Sequence, residues 1–272
     1  MPSKEYCPSA FSNSQSPSKL NSLRSTLSNL DIGTSKNTKW GIKCPMAIRD
    51  IILINGLIQI SEELRIIIGV RHPVHLFQSF YNYRVTEMYV RKKVEHAPNP
   101  EKLTGQKGWK GVSTNLVQFE FSLMQLAKTF LSTKDLMFMS SRGLSVLKPN
   151  SIKIFLYSLE QIKDQNETRS ALFRASMQQF LGLENPIEPF THENNNKAVK
   201  YPETINICDE KFNKLRKMLI LNGKATQKWI LNQFMQSKDV IVGVQDQFIK
   251  SLEKWSDDPC SSKTTNFGNF TV

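Results

Sequence analysis

Cysteine and histidine are scarce in this sequence, with four residues of each in a chain of 272. The cysteines are widely scattered, form no C-x-x-C pair, and have no Cys/His spacing suited to zinc. The sequence therefore predicts no metal site. The spacing leaves open whether any of Cys44, Cys208 and Cys260 are paired.

Long hydrophobic runs are also lacking. The longest extends from Ile51 to Ile60 and is interrupted by Asn55 and Gln59. It falls far short of the roughly 20 apolar residues that are needed to cross a bilayer. The N-terminus has no apolar segment of the kind found in signal peptides. We therefore expect no transmembrane segment in this chain.

Acidic residues are outnumbered, since 24 Asp and Glu face 36 Lys and Arg, for a formal charge of +12. Such an excess favours anionic partners, which include nucleotide phosphates, sulfated glycans, nucleic acid and anionic membranes. A solvated lysine surface without a specific partner is an equally good interpretation. Nucleic acid is the weaker candidate, because the basic residues are spread along the chain without aromatic residues interleaved.

The chain divides into three segments by composition. Residues 1–38 are rich in Ser, Asn, Lys and Pro and have too few bulky apolar side chains to offset the entropy of ordering, so we expect a disordered leader. Residues 39–260 form the predicted domain, and residues 261–272 a flexible tail. In the domain, helical patterns alternate with apolar strand patterns, which favours an α/β fold. We predict strands at 65–70 and 151–159 and a long exposed loop at 90–113. A helix is predicted to begin at residue 73, and further helices are predicted at 45–61, 115–131, 167–181, 212–234 and 245–255.

The most informative stretch joins the first predicted strand to a helix. Residues 65–70 are a continuous β-branched run, which suits a parallel strand covered on both faces, and Pro73 suits the first turn of a helix. Ligands of open α/β sheets collect beyond the carboxyl ends of the strands, where helix N-termini attract phosphate. Arg71 adds a planar fork that can hold phosphate through two hydrogen bonds, and Ser79 adds a hydroxyl. Alternatively, Arg71 pairs with a nearby carboxylate and Ser79 only fills space.

The order Arg71-His-Pro-Val, then Ser79-Phe-Tyr, resembles the 3′-phosphate-binding motif of sulfotransferases that use 3′-phosphoadenosine 5′-phosphosulfate (PAPS). In that family a strand is followed by Arg-x-Pro and by a Ser eight residues after the Arg. The resemblance implies that Arg71 and Ser79 hold the 3′-phosphate of PAPS. It also implies a P-loop-like three-layer α/β fold, in which helices flank a parallel sheet.

Two further stretches are similar to the same family in the expected order. Gly41-Ile-Lys43-Cys-Pro45 is similar to the Glu-Lys-Ser/Thr-Pro segment of glycan sulfotransferases, although Ile42 stands where the family has Glu. The similarity implies that Lys43 lies near the sulfonate and the acceptor; an ordinary surface lysine is the alternative. The strand at 152–159 and the helix that ends in Phe180-Leu-Gly-Leu resemble a later, architectural part of the family. The matches span about residues 40–185.

The family's Lys-x-Gly-Thr-Thr/Ser loop, which cradles the 5′-phosphosulfate, is missing. Gly33-Thr34-Ser35-Lys36 shares some residues with this loop, but no apolar strand precedes it. We therefore expect an N-terminally incomplete or a degenerate member, with the first as the preferred interpretation. The missing strand would be central in the sheet. The general base cannot be assigned, because none of the four histidines occupies the family's position.

Two functions follow from the resemblance. The first is transfer of a sulfonate group from PAPS to a hydroxyl or amine of an acceptor, for which an anionic glycan would suit the basic surface. The second is a non-catalytic module that keeps the 3′-phosphate site and binds a nucleotide or polyanion. Members of the glycan type are usually anchored in the Golgi lumen, but this sequence shows neither anchor nor signal peptide, so the compartment stays open.

Overall fold

The computed structural model describes residues 64–90, 100, 152–190, 201–232 and 234–261. The predicted leader, Lys43, residues 91–99 and 101–113 of the predicted loop, the predicted helices at 45–61 and 115–131, and residues 262–272 of the tail lie outside the described residues. The described elements in chain order are β1 (Leu64–Val70), α1 (Pro73–Val90), β2 (Ile152–Ser158), α2 (Leu159–Ile162), α3 (Glu167–Leu181), α4 (Asn213–Asn232), β3 (Val240–Val242) and α5 (Gln245–Glu253).

Several sequence predictions are confirmed. β1 and β2 lie where apolar runs predicted strands, and α3 has the predicted bounds. The side chain of Asn166 accepts a hydrogen bond from the backbone N–H of Arg169 and thereby satisfies one free donor at the start of α3. α4 and α5 coincide closely with the last two predicted helices. β3 was not predicted, because three residues are too few to show a period.

The three strands form one parallel sheet in the order β1–β2–β3. β1 and β2 pair along their whole length, from Leu64 opposite Ile152 to Val70 opposite Ser158. Both strands therefore end at the same edge of the sheet, with Arg71 immediately beyond one and α2 immediately beyond the other. No gap separates the described strands, so a further strand would have to pair at the outer edge of β1 or of β3.

Helices flank the sheet on both faces. On one face, Ile154 and Leu156 of β2 pack with residues of α4, α5 and the 3₁₀ turn Lys254–Ser256 that follows α5. On the other face, Phe155 packs against Phe173, Met177 and Phe180 of α3. The coarse prediction of an α/β fold with a parallel sheet flanked by helices is thus confirmed for the described residues.

β1 differs from its prediction on one face. Ile68 and Val70 are buried in the core, as expected for a strand that faces a helical layer. Ile67, on the opposite face, is 42 % exposed, and Gly69 beside it is exposed as well. Within the described residues, both faces are thus covered in β2, where α3 packs on Phe155, and only one face is covered in β1. A β-branched run predicts a strand, but its cover depends on where the other layers lie.

α1 packs through one face of the helix. Val74, Phe77, Tyr81 and Val85 recur at spacings of three and four residues and are buried against α4 and the segment that precedes it. Tyr83 lies off this face and is 61 % exposed. The packing fixes α1 in rotation about its axis and so decides which side chains it presents at the sheet edge.

Gly182 ends α3 in the left-handed conformation, at φ +63°, as a C-cap glycine does. A Cβ at this position would lie 2.9 Å from Nη1 of Arg65, which itself donates a hydrogen bond to the carbonyl of Phe180.

We expect Gly182→Ala to lower the free energy of unfolding by about 1 kcal/mol, measured by urea denaturation. Gly182→Asn should cost less, because Asn tolerates positive φ. Equal losses for both variants would show that the contact with Arg65, and not the backbone angle, sets the cost.

Candidate functional site

The candidate site lies at the carboxyl edge of β1 and β2. It comprises the β1–α1 corner, which we define as residues Arg71–Ser79, and the first residues after β2. A parallel sheet brings these segments together, because its strands all end at one edge. The N-terminus of α1 points to the same edge; Pro73 there has no N–H, and the N–H groups of Val74 and Leu76 are hydrogen-bonded to His72.

His72 holds the start of α1 in place through hydrogen bonds. Its side chain is only 6 % exposed, and its Nδ1 accepts a hydrogen bond from the backbone N–H of Val74 at 3.2 Å. Its Nε2 lies 3.1 Å from the carbonyl oxygen of Lys254 and 3.2 Å from that of Asp257. Carbonyl oxygens only accept, so these partners require the neutral ring with its proton on Nε2. Burial lowers the pKa of His72 and favours the same form. Both nitrogens are engaged, so His72 is a structural residue rather than a general base.

Arg71 lies directly beyond β1 and is half-buried. Burial lowers the pKa of its guanidinium, and the negative charge of Glu160 opposes that shift. Among the described residues the guanidinium has no hydrogen bond or ion pair; Glu160 acts on it through space. Glu160 is a carboxylate neighbour of the kind that the alternative interpretation names, although it attracts Arg71 without a hydrogen bond or salt bridge. A partly buried guanidinium with open donors is suited to hold an anion.

His75 and Ser79 are one helical turn apart and so lie on the same face of α1. The His75 ring lies 5.5 Å from the His72 ring, between their centroids, which places this face at the corner. Burial, and to a smaller extent the neighbouring basic groups His72, Arg71 and Lys163, lower the pKa of His75 to about 4. Ser79 is half-buried on the same face, one turn beyond His75. The face adjoins, but is separate from, the buried face of α1.

The β2 side of the site contributes Glu160 and Lys163. Glu160 has a buried Oε2 that finds no hydrogen-bond partner within the described ranges. Gln161 is fully buried and holds this side in place: its Oε1 accepts from the backbone N–H of Ser158, and its Nε2 donates to the carbonyl of Val244 beyond β3. The ends of β2 and β3 are thus tied together, which gives the edge a fixed geometry.

Arg71 and Ser79 were predicted as site residues; Arg71 lies between β1 and α1, Ser79 lies in the second turn of α1, and their role stays a prediction. Lys43, the third predicted residue, lies outside the described residues. Sequence reasoning did not identify His75, Glu160 or Lys163 as part of the site. For His75, the spacing of four residues from Ser79 was the available signal. For Glu160 and Lys163 there was none, because only the pairing of β1 with β2 brings them near Arg71.

A disulfide joins Cys208 to Cys260 across 52 residues of sequence. It ties the segment before α4 to the turn that follows the 3₁₀ helix Lys254–Ser256, whose Lys254 carbonyl contacts His72. Arg216 of α4 reinforces this link, since it donates to the carbonyls of Ile207 and Asp209 and, at 3.2 Å, to the carboxylate of Asp258. The support of the β1–α1 corner is therefore partly covalent.

The described residues contain no cluster of three or more His, Cys, Asp or Glu side chains that could bind a metal ion. Within the same residues, no helix combines the length and the apolar character that a membrane crossing needs.

The fold and the site together define an α/β protein with an open parallel sheet and a group of basic side chains at the carboxyl edge. Comparisons with protein-family models, with curated proteins and with solved structures found no match to this chain.

Proposed function

We propose that the β1–α1 corner binds the 3′-phosphate of PAPS, and that the protein is a sulfotransferase with a P-loop-like fold. The observation that carries the proposal is Arg71: a half-buried guanidinium immediately beyond a parallel strand, at the N-terminus of a long helix, with donors that no described residue occupies. Phosphate matches this setting in charge, geometry and hydrogen bonding. Ser79 adds a hydroxyl on the helix face that His75 places at the corner.

The proposed reaction transfers the sulfonate group from PAPS to a hydroxyl or amine of an acceptor. The acceptor oxygen or nitrogen forms a bond to sulfur, the bond from sulfur to the bridging phosphate oxygen breaks, and a base removes the acceptor proton. Adenosine 3′,5′-bisphosphate leaves. Lys43 is the residue we propose near the sulfonate, where a cation stabilises the charge that develops on the transferred oxygens. The basic composition supports an anionic glycan as the acceptor.

The Cys208–Cys260 disulfide supports a lumenal or extracellular setting, because disulfides persist in oxidising compartments. This is the setting that the glycan sulfotransferases occupy.

A non-catalytic nucleotide-binding module is the second candidate. It is favoured by the sequence, which contains no Lys-x-Gly-Thr segment after an apolar strand. Such a module would keep the 3′-phosphate site and bind the bisphosphate nucleotide without transferring a sulfonate.

Calorimetry with adenosine 3′,5′-bisphosphate tests both candidates, with adenosine 5′-monophosphate as the matched ligand that lacks the 3′-phosphate. We expect the bisphosphate to bind at least about 100-fold more tightly, since a bidentate charged contact contributes on the order of 3 kcal/mol. Equal affinities would refute the assignment of the corner. Transfer of labelled sulfonate from PAPS to desulfated heparin or chondroitin would then distinguish the enzyme from the module.

A further inference from the structure

The corner carries more positive charge than Arg71, the one charged residue of the predicted pair Arg71 and Ser79, supplies. The His75 ring, in the first turn of α1, lies 5.5 Å from the His72 ring between their centroids, and the charges of Arg71 and, from the end of α2, of Lys163 act on it. The acidic groups in this neighbourhood are Glu160, which acts on Arg71, and Asp257 and Asp258, which act on His72. His72 itself is held neutral by its three backbone contacts. The residue that can still change its charge here is therefore His75.

In the free protein His75 is neutral at pH 7, because burial and the adjacent cations bring its pKa to about 4. A bound phosphate reverses the sign of the local field. An opposite charge within about 4–6 Å raises the pKa of an ionisable group by about 1–3 units, and a phosphate in direct contact with the ring acts at the upper end, so the bound state would reach about 6–7. The ring would then donate to the phosphate, as a charged donor does.

Helix geometry supports direct contact. His75 is in the first turn of α1, and Ser79 follows one turn later on the same face. His75 stands four residues after Arg71 and four residues before Ser79, so a phosphate that those two residues hold together would lie next to it.

We propose that His75 is a third ligand of the 3′-phosphate and that it takes up a proton when the nucleotide binds. Affinity therefore rises as the pH falls from 8 to 6, in a way that depends on this ring. The proposal rests on the proposed function, because it takes the bisphosphate nucleotide as the ligand of the corner.

The test compares the wild-type protein with His75→Gln, which keeps a side-chain donor of similar reach but cannot gain a proton. Calorimetry with adenosine 3′,5′-bisphosphate at pH 6, 7 and 8 gives the ratio of the two dissociation constants at each pH. The titration of the nucleotide's own phosphates cancels in this ratio. A bound-state pKa of 6–7 predicts that the ratio grows about twofold to tenfold between pH 8 and pH 6.

Proton uptake provides the second readout. Binding measured at pH 6 in two buffers of different ionisation enthalpy should show greater uptake by the wild type than by His75→Gln. Lys238→Gln is the matched control, because it also replaces a basic side chain but lies before β3, at the opposite edge of the sheet. Its pH profile should follow the wild type.

The outcomes separate the two proposals. If the wild type binds no bisphosphate at any pH, the proposed function and this inference both fail. If it binds and Arg71 is required, but His75→Gln has the same pH profile and proton uptake as the wild type, the function stands and the role of His75 is refuted.

Discussion

Arg71→Ala is expected to weaken the binding of adenosine 3′,5′-bisphosphate by about 100- to 1,000-fold. The variant removes a guanidinium that makes no hydrogen bond to another described residue and that, as proposed, holds the phosphate through two charged hydrogen bonds. Two such bonds, each at the lower end of the usual range of about 1.5–3 kcal/mol, contribute about 3–4 kcal/mol together, and every 1.4 kcal/mol is a factor of ten in affinity. Arg71→Lys should lose about tenfold, because it keeps the charge and loses the fork. Calorimetry of the purified variants measures both.

The fold should tolerate this change. Burial disfavours the charged form of Arg71, so its removal takes away an electrostatic cost as well as the attraction to Glu160. We expect the free energy of unfolding to change by less than about 1 kcal/mol. Arg174→Ala is the matched control: it removes an arginine from α3, where Arg174 contacts Ser170 of its own helix, and should leave affinity unchanged. Undiminished binding by a folded Arg71→Ala protein would place the nucleotide elsewhere.

Loss of the Cys208–Cys260 disulfide should have the largest effect on stability. The bond closes 52 residues of chain, and the entropy of that closure corresponds to about 4 kcal/mol. Arg216 bridges the same two segments without a covalent bond, so the native contacts persist when the sulfurs are separated. The loss should therefore arise mainly in the unfolded chain, which gains freedom. We expect the Cys208→Ser, Cys260→Ser double variant to unfold with about 4 kcal/mol less free energy.

Urea denaturation of the wild type, the reduced wild type and the double variant measures this loss. Reduction of the wild type should shift its unfolding midpoint to that of the double variant, because both remove the same link. A loss below about 1 kcal/mol in both cases would show that the denatured chain is already constrained, or that Arg216 alone holds the two segments. Loss of the disulfide should also weaken the hydrogen bonds of His72 at the corner, because the turn that follows α5 supplies both of its carbonyl partners.

Much of the α/β architecture could be predicted from local patterns. The apolar runs at β1 and β2 and the end of α3 at Gly182 each depend on residues close in sequence, and the structure confirms them. The prediction that both faces of β1 are covered does not hold within the described residues, since a run such as Ile66–Ile68 is compatible with one packed face or with two. β3 went unpredicted because its three residues form a strand only through their pairing with β2.

Part of the candidate site could likewise be predicted from local sequence, and part could not. Arg71 and Ser79 were predicted from a motif that spans a single strand–turn–helix unit, in which a fixed number of residues sets where each side chain falls. The role of Lys43 stays a prediction, as does the reaction itself. Glu160 and Lys163 could not be predicted, because they lie about 90 residues further along the chain from Arg71.

By itself, the sequence determined the strand, the turn and the helix on which Arg71 and Ser79 stand, because those forms depend on propensity, periodicity and capping within a few residues. The tertiary structure alone decided that β1 pairs with β2 so that both end at one edge, that Cys208 pairs with Cys260, and that Lys163 faces His75. Those contacts join residues 52 to about 90 positions apart. No local pattern carries such contacts, since they form only when the layers pack and exclude water.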